Sequence, residues 1–579
     1  MLNTAGLSLE QAPPISVPFG FFLAAPVFAI AAGALLVAQG DVILASRWTP
    51  AALAVTHLIA LGFLTQVMAG ALLQMLPVLA GAPVRRVTLV GRASQVLLML
   101  GTLALSAGLL WGGQPGLVLG GASLGAGLLL YALVVGIAMT QARGVKPTIL
   151  AMRLALAALV ATLVLGLMLV TALLGWLPLP GLVEWVNLHA AWGLLGWVGL
   201  LIMGVGYQVV PMFHVTPAYP RWQTRWAAPV TAAALLAATL LTLAGRADLA
   251  GWSAGVGALA LGVFALVTLD RQRRRERRRV DATLLYWWSA MISAILAAGV
   301  WLSGGRAELV GVLALLGVGI GLPSGMLFKI VPFLSWFHLQ HRQLATRRFD
   351  LRIPHMHAFI PEIQARVQFG LYLLALLCLG SAAALPSLAP SLTTGLGTAL
   401  TQAGGGALVL AATLLGALLA RAAVRHRQVR RQFDQASADN PQPRPEMSPK
   451  MQPSAPRSGN GHQTPRPGPR IRHEQRTISA MLGIYCHDLH GGGQTLCEDC
   501  ERLRQYAMAR LETCPFQERK PVCNRCQVHC YSRTMRARVR EVMRHAGPRM
   551  PLRHPWLATR HLLDKLRQIP VLTDRKSNG

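Results

Sequence analysis

The chain has 579 residues, of which 53% are hydrophobic and only 13% charged. Soluble domains carry roughly 25% charged residues, so a soluble globular protein is excluded for most of this length. The net charge of +31 would suit a nucleic-acid partner, but in a chain that spans a membrane it marks topology as readily. No cleavable signal peptide is expected, because the first residues lack a basic region and carry Glu10, Pro13, Pro14 and Pro18.

A membrane-crossing helix needs about 20 mostly apolar residues. Twelve segments qualify: 18–39, 49–75, 92–112, 115–138, 150–174, 187–211, 227–245, 250–269, 282–303, 308–334, 365–387 and 398–420. The second ends in Gly70-x3-Gln74-x2-Pro77, the sixth in Gly204-x3-Gln208-x2-Pro211 and the tenth in Gly325-x3-Lys329-x2-Pro332. Recurrence of that ending every fourth helix reads as three four-helix repeats.

Loop charge sets the expected direction. The loops after even-numbered helices carry Arg85, Arg86 and Arg92; Arg143, Lys146 and Arg153; Arg221 and Arg225; seven arginines within 271–279; and Arg342, Arg347, Arg348, Arg352 and Arg366. The odd-numbered connections hold only Arg47, Arg246 and Arg306. Lys and Arg favour the cytoplasmic side, so both termini are expected there, in a bacterial inner membrane.

Residues 1–420 thus form the expected membrane domain. Residues 421–476, rich in Pro, Gln, Ser and Arg, are expected to be a disordered basic linker lying near anionic lipid. A second, cytoplasmic unit is expected over 477–570, with 571–579 as a tail. Helical patterns fall at 477–487, 498–512, 534–545 and 555–567, and Met535, Val539, Val542 and Met543 share one helical face. The overall expectation is all-α: a twelve-helix membrane bundle and a small Cys-rich helical domain, of a size that often needs a metal to hold it together.

Ionisable residues inside a span mark functional sites by default. His57 opens the second helix, and twenty residues at about 1.5 Å each set it about 30 Å from Pro77, toward the outer face. His189 stands similarly at the start of the sixth. Both are candidate metal ligands, against the plainer reading of interfacial histidines bonded to a neighbouring helix. Gln74, Gln208 and Lys329 are candidates for a polar path, or for satisfying carbonyls freed by the prolines. Gly70, Gly204 and Gly325 suit close helix packing. His214, His338, His341, His355 and His357 gather after the sixth and tenth helices and read as solvated loop residues or a cytoplasmic metal or proton-entry site.

Twelve helices in three repeats, with histidines on the second and sixth, resemble subunit I of the haem-copper oxidase superfamily. The run His57-x4-Gly62-Phe63, Gly70-Ala71-Leu72-Leu73 and Pro77 resembles the NnrS family of haem- and copper-containing membrane proteins linked to nitric oxide metabolism. The resemblance implies haem or copper held by His57 and His189. Helix 10 has no histidine before Pro332, helix 7 no His-His pair and helix 6 no His-Pro-Glu, so a complete oxygen-reducing centre is not expected.

Seven of the eight cysteines fall in the tail: Cys486, Cys497-x2-Cys500, Cys514 and Cys523-x2-Cys526-x3-Cys530, with His487, His490 and His529 interleaved. A cytoplasmic address argues against structural disulfides. Two Cys-x2-Cys pairs signal metal, and their four thiolates would suffice for zinc, leaving Cys486, Cys514 and Cys530 over. The last run partly echoes iron–sulfur spacing. The tail closely resembles the nitrous-oxide-stimulated promoter family through Tyr485-Cys486, Leu496-Cys497-x2-Cys500, Cys514-Pro515-Phe516, Lys520-Pro521-x-Cys523-x2-Cys526-x-Val528-His529-Cys530-Tyr531 and Val542-Met543-Arg544-x-Ala546-Gly547-Pro548-Arg549-Met550. That family is associated with the response to nitric oxide and nitrosative stress.

Three functions follow. The first is an inner-membrane protein of nitrosative-stress response or denitrification, with nitric oxide and a redox partner as its counterparts. Haem or copper would sit in the membrane, and an iron–sulfur cluster or zinc in the tail. The second is a transporter with a zinc-binding regulatory tail. The third is a membrane-tethered nucleic-acid binder using Arg533, Arg536, Arg538, Arg540 and Arg544. No nucleophile–base pair, phosphate loop or paired carboxylates point to a hydrolase or kinase, and no catalytic residue is assigned.

Overall fold

A computed structural model describes residues 13–142, 145–276, 278–346, 348, 350–388, 393–439, 468–491, 495–514, 516–520 and 530–564. The chain divides into two compact units, Met1–Pro445 and Glu446–Gly579. Both are helical, and no strand occurs among the described residues.

Twelve helices of the first unit are long and apolar enough to cross a membrane. They are α1 (Ser16–Gln39), α2 (Pro50–Val78), α3 (Val87–Trp111), α4 (Gln114–Thr140), α5 (Lys146–Leu173) and α6 (Leu182–His214). Then follow α7 (Arg221–Leu243), α8 (Ala247–Arg273), α9 (Ala282–Leu302), α10 (Ala307–Thr346) and α11 (Glu362–Leu388). The last is α12 (Thr393–Asp439). Every expected segment is thus a helix, most of them extending a few residues beyond the apolar run. Starts are set by local chemistry: Thr49 accepts the Ala52 N–H at 3.2 Å ahead of Pro50, and Asp281 accepts the Leu284 N–H at 3.0 Å.

The packing follows the repeat. The third and fourth helices of each set lie together, as α3 with α4, α7 with α8 and α11 with α12. Each fourth helix also packs on the first helix of the next set: α4 on α5, α8 on α9 and, closing the ring, α12 on α1. The repeat glycines of the second helices face the first helix of their own set. A Cβ on Gly70 would stand 2.7 Å from Phe21 Cβ on α1, and one on Gly204 would stand 2.8 Å from Ala151 Cβ on α5; one on Gly325 would collide with Tyr286 on α9.

Each of these second helices also contains a π-helical stretch: Leu58–Thr65 in α2, Trp192–Leu200 in α6 and Val312–Ile320 in α10. The wider turn leaves a ladder one residue out of phase, and such stretches often accompany functional sites.

Residues 421–439, expected in the linker, continue α12 as helix. Their apolar face explains it: Ala422, Ala423, His426 and Phe433 are buried against the bundle. Linker residues 440–467 lie outside the described residues.

The second unit contains α13 (Pro469–His490), α14 (Glu498–Glu512), α15 (Arg533–Ala546) and α16 (Pro555–Asp564). Ile478, Leu482, Leu503, Leu511 and Val542 form its core, with Met535, Val539 and Met543 packed on it from the expected face of α15. A carboxylate tie lies beneath. Glu474 accepts from Arg470 Nη2 at 3.0 Å and from Lys520 Nζ at 3.1 Å, and all three side chains are 6% exposed or less.

Candidate metal centre

In α13, Cys486 and His490 stand four residues apart and so share one face. The helix ends at Gly491, whose φ of 64° turns the chain back and whose N–H caps the Cys486 carbonyl. The chain then re-enters α14 with Cys497 as N-cap and Cys500 in the first turn. The donor atoms of Cys486, His490, Cys497 and Cys500 all lie within 4.8 Å of one another. His490 Nδ1 is 3.2 Å from Cys497 Sγ and 3.3 Å from Cys500 Sγ, and the Cys497 N–H donates to Cys486 Sγ at 3.2 Å. A tetrahedral ion with bonds of about 2.0–2.3 Å spaces its donors by about 3.5–3.8 Å. The group therefore fits a single ion such as zinc.

Thiol electrostatics agree. The backbone N–H of Cys500, with the His490 ring beside it, lowers the Cys497 thiol to about 7. Burial, and then the hydrogen bonds of Cys497 and Cys486, push Cys500 up to about 12. The isolated group therefore retains protons near neutral pH, and a bound cation would displace them.

The supporting shell is well connected. Tyr485 packs edge-on against His490 and against His545, with ring centres 5.3 and 5.7 Å away. Asp488, between the two ligands of α13, accepts from Arg553 at 2.8 Å, His545 at 3.1 Å and His487 at 3.2 Å, and pairs with Arg549 at 3.3 Å. Hydrogen bonds from His545 and His487 hold its carboxyl at about 2.

His490 was not among the expected ligands. Its signal was present in Cys486-x3-His490, the helical spacing that pairs two ligands on one face. Of the expected sulfurs, Cys486, Cys497 and Cys500 come together, whereas Cys514 is buried in the apolar core beside Leu511 and Phe516. Cys523, Cys526 and His529 lie outside the described residues, and Cys530 is half-buried at their border.

In the membrane unit, His57 and His189 face each other from α2 and α6, with ring centres 6.4 Å apart and ring planes 26° from parallel. His57 Nδ1 meets the Leu53 carbonyl at 2.8 Å and His189 Nδ1 meets the Thr162 carbonyl at 3.1 Å. Carbonyl acceptors hold the proton on Nδ1 and leave the lone pair on Nε2 of each ring, as binding a metal would require. Two imidazoles on opposite sides of one ion at about 2.0–2.1 Å would have centres roughly 6 Å apart, close to the spacing observed.

The three candidate polar-path residues have different surroundings. Lys329 Nζ is paired with Asp281 at 2.6 Å, tying α10 to the start of α9. Gln74 is buried and, among the described residues, its Oε1 has no partner, and Gln208 is half-buried on α6. Gln66 is a further buried residue that the sequence did not single out: it is 0% exposed, and among the described residues neither of its amide atoms has a partner.

The architecture is thus that of a multi-pass α-helical membrane protein carrying a separate helical unit with a Cys3His group able to hold a metal ion. Residues 469–574 match the family described as nitrous oxide-stimulated promoter, and through them the chain belongs to that family. It is similar to the uncharacterized protein YgbA of Escherichia coli (strain K12), 41% identical over 115 residues that make up 92% of that protein and 19% of this chain. The match covers the second unit and leaves the membrane bundle outside it.

Proposed function

We propose that the protein is a bacterial inner-membrane component of the response to nitric oxide or of denitrification, in which the Cys3His unit senses or transmits the presence of reactive nitrogen species. One observation carries the reading: the four convergent donors lie within the segment that matches the nitrous oxide-stimulated promoter family. Thiolates are the groups that nitrosating species modify, and a bound ion keeps them deprotonated at neutral pH. Cys486, His490, Cys497 and Cys500 would hold that ion, zinc before an iron–sulfur cluster, because four donors this close together suit one metal atom. His57 and His189 would hold haem or copper in the membrane, where such a group supplies reversible gas binding or electron transfer.

The orientation proposed is both termini in the cytoplasm, which gives the tail access to cytoplasmic thiol chemistry. The pairing of Lys329 with Asp281 weighs against a polar transport path. The test is to purify the full chain without oxygen, measure its metals, and record visible spectra before and after adding nitric oxide. Tail-bound zinc or iron that is lost in Cys500→Ser, with a spectral change on nitric oxide that requires His57 and His189, is the expected result. A metal-free protein with no response would overturn the proposal.

A further inference from the structure

The three repeated helices α2, α6 and α10 converge on a cavity of about 160 Å³, with Trp287 of α9 completing one wall. Its lining obeys the repeat. Ala71, Val205 and Met326 each stand one residue after the repeat glycine, and Met75, Val209 and Ile330 each stand five after it. The positions three before, two before and eight after line it too, in all three helices. The cavity is therefore a product of the threefold repeat rather than a packing defect at one contact. No polar atom faces into it, and Gln74 contributes only carbon. Leu201 and Leu322 are buried at one end, while Val78, Met212 and Phe333 are half-buried toward the end that carries the prolines.

Water needs two to four polar partners to occupy a cavity, and this one offers none. Dry cavities of about 150 Å³ lined by aliphatic and aromatic side chains accept xenon or benzene instead. A charged solute would be desolvated without compensation, and a metal ion would find no ligand stronger than a thioether. We propose that this cavity is a binding site for a small uncharged apolar gas, the chemical class to which nitric oxide belongs. The gas site stands on the cavity alone; only its assignment to nitric oxide rests on the function proposed above.

The experiment is xenon pressurisation of crystals of the full chain, read by anomalous scattering. A xenon peak enclosed by Ala71, Val205 and Met326 is expected. It should be lost in Ala71→Phe and in Val205→Phe, each of which fills the space, and retained in Leu236→Phe, which adds the same ring to a side chain 57% exposed on the outside of α7. No peak in the unmodified protein, a peak that persists in both filled variants, or an acyl chain or detergent tail found in the cavity would each overturn the proposal. Xenon has no redox or ligand chemistry with thiolate or haem, so this outcome is independent of the nitric oxide spectra.

Discussion

The Glu474 tie is the most exposed quantitative consequence of the second unit's structure. Its carboxylate pairs with both Arg470 and Lys520, with the three side chains only 3%, 6% and 5% exposed. Glu474→Gln keeps the shape but removes the charged carboxylate that both buried cations contact. Breaking a buried pair in this way costs about 3–5 kcal/mol. A small domain is stabilised by about 5–15 kcal/mol, so the loss is a large share of the whole. At about 4–8 °C per kcal/mol for a domain of this size, the melting temperature should fall by about 12–40 °C. The assay is urea unfolding of a fragment from residue 468 onward, followed by far-UV circular dichroism with zinc saturating for both proteins. The triple replacement Arg470→Met, Glu474→Leu and Lys520→Met removes all three charges and should recover most of the loss. A single-variant effect below about 1 kcal/mol, or a triple variant no more stable than the single, would refute loss of the buried ion pairs as the cause.

Four further outcomes are expected. His490→Ala should weaken zinc binding by more than the roughly 10–100-fold typical of a lost supporting contact, while His490→Cys should retain most of it, as read by competition with a chromophoric chelator. Zinc affinity should fall as pH falls, because binding must displace the Cys500 proton throughout the neutral range and the Cys497 proton below about 7; the logarithmic slope therefore steepens below that pH, and Cys497→Ala should remove its share. The Asp488 carboxyl, at about 2 in the folded unit, lies below its unfolded value of roughly 3.9, so its stabilisation is complete above about pH 4 and is lost as pH falls through about 2. Asp488→Asn should flatten that part of the acid unfolding profile. Gly204→Val should lower the detergent melting temperature of the whole chain, since its Cβ would stand 2.8 Å from Ala151 Cβ and overpacking costs about 1–3 kcal/mol; an unchanged midpoint would show that α5 and α6 separate freely.

The membrane bundle was legible because its signals are redundant. Length and apolar run agree at each of the twelve helices. The repeat glycines suit close packing on their sequence alone, and their partners are Phe21, Ala151 and Tyr286, one on the first helix of each set. The π-helical stretches were not legible. They lie in uniformly apolar sequence, where a change of helical phase leaves no mark on a pattern that is hydrophobic all round. The extension of α12 to Asp439 was hidden for the opposite reason, since arginines on its polar face masked the buried Ala422, His426 and Phe433.

At the metal centre the sequence revealed the chemistry better than the partnership. Paired Cys-x2-Cys motifs invite the assumption that each pair serves the other, as in zinc ribbons. Here Cys497-x2-Cys500 opens a helix whose N-terminus delivers both sulfurs, and the remaining ligands come from the helix that precedes it, at an i, i+4 spacing that hides one histidine among three. The same logic applies in the membrane. His57 lies thirteen residues before its repeat glycine and His189 fifteen, so the two are not equivalent by sequence, yet their rings come within 6.4 Å. Helix α10 places Val312 and Val310 at the corresponding positions. A threefold scaffold therefore carries a pair of facing histidines at one end, while the cavity nearer its prolines keeps the full threefold lining. Departure from the repeat where ionisable residues meet, and adherence to it where only apolar surface is needed, is what separate roles for the two ends would produce.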